Sequence, residues 1–280
     1  MMTKNKGRMA NHDPKRDERY TQLLLTPLEE CKKYKPVFGK SDADETEVTI
    51  DAFRRLYGAD PLYHWVGLDE DLMYAAHKAA GGMTSIYRQL GIGCERLVRT
   101  IIGDELGLDA DQLAWSYEYE TDKGKVATHT LDARIDVNFM SDKDAKKRVS
   151  QWLRKMGATR KLSKERMESL HGVILEVRQG YKSADSKRQQ ADLRFGIHSY
   201  NENYLPAIVI MSMQVSETVC ARYRANQVAV LTGTLSGDAM VSSLAFVNEV
   251  VGYDITGFFN RNTRSLRAEF GAVLRTILTP

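Results

Sequence analysis

Apolar and polar positions change period several times along this chain, and each change marks an element. Residues 20–82 read as helical, with loops expected at Pro36 to Asp44 and Gly58 to Pro61. Gly81-Gly82 is expected to end that section, leaving Thr84 or Ser85 to cap the next helix. From Ser85 to Leu106, Ile86, Leu90, Cys94, Leu97, Val98, Ile101 and Ile102 recur at helical spacing, and Gly107 stops the run. Ala114 to Glu120 alternates as a strand, Asp122-Lys-Gly124 turns, and Val126 to Phe139 returns as its hairpin partner. On that returning strand Leu131, Ala133, Ile135, Val137 and Phe139 share one face, while Asp132, Arg134, Asp136 and Asn138 share the other.

Residues 141–170 read as a charged helical insertion rich in Lys and Arg. A compact strand, Gly172-Val-Ile-Leu-Glu-Val-Arg178, follows it, then a polar helix from about Ser183 to Tyr200. Leu205 to Met213 and Val228 to Thr232 are short apolar strands separated by a helical segment, and helices are expected over 238–252 and 262–278. This order predicts an α/β fold: a central mixed β-sheet flanked by helices. Two domains are expected, a helical N-terminal region with a basic tail over 1–82 and an α/β domain over 83–280 that carries the insertion.

Composition narrows the classes without choosing among them. The chain has 280 residues, 42% hydrophobic and 28% charged, enough to bury a sizeable core. A net charge of +3 excludes a polycation, so any nucleic-acid role must come from local clustering of charge. Cys31, Cys94 and Cys220 are far apart and show no zinc or disulfide spacing, which points to a reducing, cytoplasmic setting. No apolar run approaches the roughly 18 to 20 residues of a membrane span. The polar, basic stretch from Met1 to Arg19 has no apolar core of a signal peptide. His64, His77, His129, His171 and His198 show no metal spacing, and Gly91-Ile-Gly93 lacks the context of a phosphate loop.

One constellation carries chemistry. Glu176 lies in the middle of a β-branched strand, where a carboxylate is costly to bury unless something cationic meets it. Just beyond lie Lys182, Lys187, Arg188 and Arg194, a segment suited to a polyanion. Asp132 and Asp136 stand on one face of the hairpin strand, 44 and 40 positions before Glu176. Two such strands side by side would make a carboxylate site for a divalent cation bordered by positive charge, the requirement of metal-dependent phosphodiester hydrolysis. The bland alternatives are a Glu176–Arg178 pair within one strand, a Glu95–Arg99 helix pair, and a solvated basic face.

The order of these elements resembles the PD-(D/E)xK nuclease superfamily, and within it the type II restriction endonucleases. The stretches that carry the likeness are Gly93-Cys-Glu-Arg-Leu-Val-Arg99 on a helix, Leu131-Asp-Ala-Arg-Ile135 on the hairpin, and Leu175-Glu-Val-Arg178 on the strand. The resemblance spans roughly Ser85 to Gly233. It implies a restriction endonuclease-like fold, Mg²⁺ as cofactor, Asp132 and Glu176 as metal ligands with Asp136 as the alternative hairpin acid, and Glu95 as a supporting acid. It departs from the motif at Leu131, where Pro is common, and at Arg178, where Lys is usual. Arg178 takes over the electrostatic role, or Lys182 reaches back from the strand end.

The implied activity is Mg²⁺-dependent, sequence-specific cleavage of double-stranded DNA by a cytoplasmic homodimer, with no membrane partner. Gln179 and Gln190 are candidates for base edges, and Lys187, Arg188 and Arg194 for the backbone. The insertion at 141–170 is a further candidate for groove contact. A repair or recombination nuclease on the same scaffold and a non-catalytic DNA-binding protein are the alternatives.

Overall fold

The computed structural model describes residues 13–34, 49–121, 123–180 and 186–278, with side chains from 193 onward in the last stretch and up to 277. The chain divides into two compact units. One comprises Met1–Glu18 with Cys94–Arg261, the other Arg19–Gly93 with Asn262–Pro280. The helical region is thus completed by the end of the chain, a pairing across the sequence that local pattern does not reveal.

Within the helical unit, α1 (Pro14–Leu25, begun in the other unit) leads to a short 3₁₀ turn and α2 (Glu29–Lys32), then α3 (Ile50–Gly58) and α4 (Pro61–Trp65). Asp60 caps α4 by accepting from the Leu62 and Tyr63 N–H groups, with Pro61 at the first helical position. Helix α5 then runs unbroken from Asp71 to Leu106, 36 residues straight through the glycine pair expected to end it. The glycines answer to close packing instead. A Cβ on Gly81 or Gly82 would enter the side chains of Tyr34 or Ile277, so both are kept despite their cost in a helix. Leu28, Cys31, Ile86, Val273 and Ile277 form this unit's buried core, drawing the C-terminal helix α12 (Ile255–Leu278) against α5.

The α/β unit is built on a four-stranded mixed sheet of order β3-β4-β5-β6 and a separate β1-β2 hairpin. The hairpin pairs β1 (Trp115–Glu120) with β2 (Val126–Leu131). β3 (Ala133–Asp136) lies antiparallel to β4 (Gly172–Arg178), which runs parallel to β5 (Tyr204–Ile210), itself parallel to β6 (Ala229–Leu231). The mixed α/β class expected from element order is therefore present. One expectation needs correcting: Val126 to Phe139 is not one strand. The chain bends at Asp132, leaving the hairpin after Leu131 and joining the main sheet at Ala133.

Between these strands come α6 (Ala110–Leu113), α7 (Lys143–Thr159), α8 (Lys164–Ser169), α9 (Ser186–Asn201) and α10 (Glu217–Ala225). One sheet face buries Ile174, Ile208, Ile210, Val228 and Val230 against Phe195 of α9, Cys220 and Tyr223 of α10, and Trp115 and Leu131 of the hairpin. The intervening residues Val173, Leu175 and Val177 are equally buried, as a strand covered on both faces requires. The insertion is structural as well as charged. Its helix α7 buries Ala145, Val149, Trp152, Leu153 and Met156, and the Trp152 indole donates to the Ala239 carbonyl at 2.8 Å.

The helix expected over 238–252 is a short α11 (Ser243–Ala245) followed by a π-helical turn, Phe246–Val251, closed by Gly252 at φ 110°. Arg148 of α7 donates to the Val250 and Val251 carbonyls at 3.4 and 3.3 Å, supplying partners where the turn ends. Among the described residues no helix is long and apolar enough to cross a membrane.

Candidate active site

The site is assembled at the C-terminal end of β4, where the hairpin hands over to the sheet. Ala133 pairs with Leu175, so one further step of the register brings Asp132 level with Glu176. β3 ends its pairing there, and the Asp132 side chain continues it: its carboxylate oxygen accepts from the Val177 N–H at 2.5 Å. The Asp132 N–H in turn donates to the Leu175 carbonyl at 3.2 Å. A carboxylate thereby substitutes for a strand residue and is held beside Glu176.

Upstream elements hold the bend in place. Asp109 and Gln112 form a reciprocal capping box on α6. Three α6 carbonyls accept from two arginines: Ala110 from Arg99, and Asp111 and Gln112 from Arg134. Arg99 also donates to the Asp132 carbonyl at 2.6 Å, tying α5, α6 and the bend together. A Glu95–Arg99 helix pair is one of the bland alternatives the spacing leaves open. The guanidinium instead spends its donors on main-chain carbonyls. Its i+4 spacing from Glu95, at the polar edge of the helix stripe, was the only sequence signal.

Electrostatics distinguish this carboxyl group. Burial, opposed by the Val177 hydrogen bond, pushes the Asp132 carboxyl up to about 7, and the nearby Glu95 carboxylate adds to the rise. The guanidinium groups of Arg178 and Arg99 hold it back in part. Arg178 also meets Glu176, its Nη2 lying 2.9 Å from Oε1. Residues 174, 176 and 178 alternate onto the same sheet face as the apolar cluster, so both partners of this ion pair are largely buried. Asp132, Glu95, Glu176 and Arg178 are thus brought to one strand end.

The other candidates fall elsewhere. Asp136 pairs with Gly172 at the opposite end of β3, is buried, and accepts from the Tyr204 hydroxyl at 2.8 Å and the Asn138 N–H at 2.8 Å. His171 Nδ1 lies 3.1 Å from the same carboxylate. It does not converge with Asp132. Gln179 is half-buried just past β4. Arg194 lies with its guanidinium 4.3 Å from the centre of the Tyr119 ring, a cation–π contact against the hairpin. Lys182 lies outside the described residues. So do the side chains of Lys187, Arg188 and Gln190, whose backbone forms the first turns of α9.

Cysteine chemistry has no support here. All three thiols are buried, and burial pushes that of Cys94 up to about 12. Among the described residues no group of three or more His, Cys, Asp or Glu side chains is arranged to hold a metal ion. Asp132 and Glu176, level across the strand pair, and Glu95 beside Asp132 carry the hard oxygen donors that Mg²⁺ takes. No protein-family model, curated protein or solved structure matches the chain.

Proposed function

We propose that this protein is a Mg²⁺-dependent, sequence-specific double-stranded DNA endonuclease of the type II restriction class, built on a restriction endonuclease-like sheet. A single observation carries the reading. The Asp132 carboxyl is tied to the main chain at the strand position level with Glu176 and is pushed up by burial, with the Glu95 carboxylate adding to the rise against Arg178 and Arg99. A core that keeps an unfavourable acid at a strand end, next to a buried Glu–Arg pair, is the arrangement expected where charge is compensated by a ligand.

Asp132 and Glu176 would hold the ion, with Glu95 supporting from α5. When bound, the ion would polarise the scissile phosphate and lower the pKa of the attacking water. The chain's own groups do the rest. The Val177 N–H orients Asp132, Arg99 fixes the bend that presents it, and Arg178 stabilises charge developing on the phosphate. Lys182 is the alternative donor for that last role. Gln179, next after Arg178, and Arg194, on the hairpin side, would meet the DNA. The partner set is duplex DNA and a second copy of the chain, with two-fold symmetry matching a palindromic site.

A second reading has a specific observation in its favour. Arg178 stands where the superfamily has Lys and is engaged with Glu176, which suits a protein that binds DNA without cutting it. Incubating plasmid with the protein, with and without Mg²⁺, separates the two. Discrete fragments that need the metal support the endonuclease, while retarded but intact plasmid supports the binder. A monomer by light scattering, with and without DNA, would remove the homodimer.

A further inference from the structure

The opposite end of β4 carries a concave site that the nuclease reading does not use. A cavity of about 600 Å³ opens there beside His171, between the end of the sheet and helices α7 and α8. Its apolar wall includes Leu153, Met167 and Leu170, and its basic groups are Arg154, Lys164 and His171. Glu168 also lines it, 3.8 Å from the Lys164 ammonium. One carboxylate against two permanent cations leaves the lining net positive.

His171 is held more firmly than packing alone would require. Its N–H donates to the Asn203 carbonyl at 3.2 Å, and its own carbonyl accepts from Val137 at 2.9 Å. The ring packs edge-on to Tyr204 with centroids 4.4 Å apart. Nδ1 lies 3.1 Å from a carboxylate oxygen of buried Asp136, which the Tyr204 hydroxyl also approaches at 2.8 Å. With Nδ1–H donating to the carboxylate, the neutral imidazole presents Nε2 as an acceptor. A buried acid, a tyrosine and two main-chain bonds therefore orient one imidazole at the rim of a basic, half-apolar cavity.

We propose that this cavity binds a small ligand with an apolar body and an oxyanion head, phosphate or carboxylate. Arg154 and Lys164 take the head, and the Leu153–Met167–Leu170 wall takes the body. The guanidinium of Arg154 suits a planar two-point contact with either oxyanion, which a lysine alone would not supply.

The test uses the full chain titrated calorimetrically with phenyl phosphate, benzoate and phenol, which share a ring and differ in the head. Saturable binding of at least one anion, with phenol weaker by about tenfold or more, is expected, because hydrogen bonds to charged groups dominate the difference. The tighter anion identifies the head group. Arg154 and Lys164 are exposed, so Arg154→Ala and Lys164→Ala keep the fold, and each should weaken the anion while leaving phenol unchanged. Asp132→Asn, at the far end of the strand pair, should leave anion binding unchanged. Anions that bind no tighter than phenol, or that bind the Arg154 and Lys164 variants as tightly as the parent, would overturn the proposal.

Discussion

The two ends of the β3–β4 pair each hold an aspartate, and the two are treated in opposite ways. Asp136 is surrounded by donors: the Tyr204 hydroxyl, the Asn138 N–H and the His171 imidazole. Among the described residues Asp132 has one hydrogen-bond donor, the Val177 N–H, and its charged neighbours are the Glu95 carboxylate and the Arg178 and Arg99 guanidiniums. A buried acid with its lone pairs matched to donors is a structural element, since each bond repays desolvation. A buried acid with one donor, its carboxyl pushed up chiefly by burial, is kept at a cost, which makes it the better candidate for chemistry. The contrast chooses between the hairpin acids, both of which share a face in the sequence pattern.

Four experiments break or sharpen that contrast. The largest effect is expected from Asp132→Asn and Glu176→Gln, each lowering Mg²⁺-dependent plasmid cutting on the order of a thousandfold. DNA retention in a mobility shift should survive both, and cutting at the parent rate by either variant would erase the distinction between the two ends. Asp136→Ala should do the reverse. Stripping the acceptor from Tyr204 and His171 should cost about 3 kcal/mol of stability in urea denaturation, with cutting per folded molecule retained.

The third experiment uses pH. Burial pushes the folded Asp132 carboxyl up to about 7, above its unfolded range, so between about pH 4 and pH 7 the folded state holds a proton that the unfolded state has released. Stability from this group is therefore greatest below pH 4, falls as pH rises through that window, and is level above it. Allowing for partial solvent exposure, the fall should amount to about 2 kcal/mol. Asp132→Asn should flatten it, raising the melting temperature at pH 8 relative to the parent. Mg²⁺ at pH 8 should raise the parent's melting temperature and leave that of Asp132→Asn unmoved. The smallest effect is expected from Tyr204→Phe, which should lose about 1 kcal/mol in the same denaturation assay with no change in cutting.

Local pattern carried the element types well where one period rules. The β-branched run at 172–178 and the apolar runs beginning near 205 and 228 are strands of one mixed sheet, and the stripe ending at Leu106 is helical. It failed where neighbours override propensity. Gly81 and Gly82 look like a stop, yet they sit inside a continuous helix because Tyr34 and Ile277 occupy the space a side chain would need. Residues 126–139 alternate as one strand, yet the chain changes sheets at Asp132, a switch that leaves the alternation largely intact and so does not show in it. The basic insertion announced its charge but not its buried stripe of Val149, Trp152 and Met156, although those positions have helical spacing.

By itself the sequence determined a mixed α/β sheet between helices and a short roster of acids that strand geometry could bring together. Only the tertiary structure decided which of them meet. Register set Asp132 level with Glu176 and sent Asp136 to the far end, and Arg99 and α6, distant in the chain, fixed the bend between. Periodicity reports which face a side chain takes, because that follows from backbone geometry alone. Whether a buried carboxylate finds donors or another carboxylate depends on long-range packing, which no local pattern encodes.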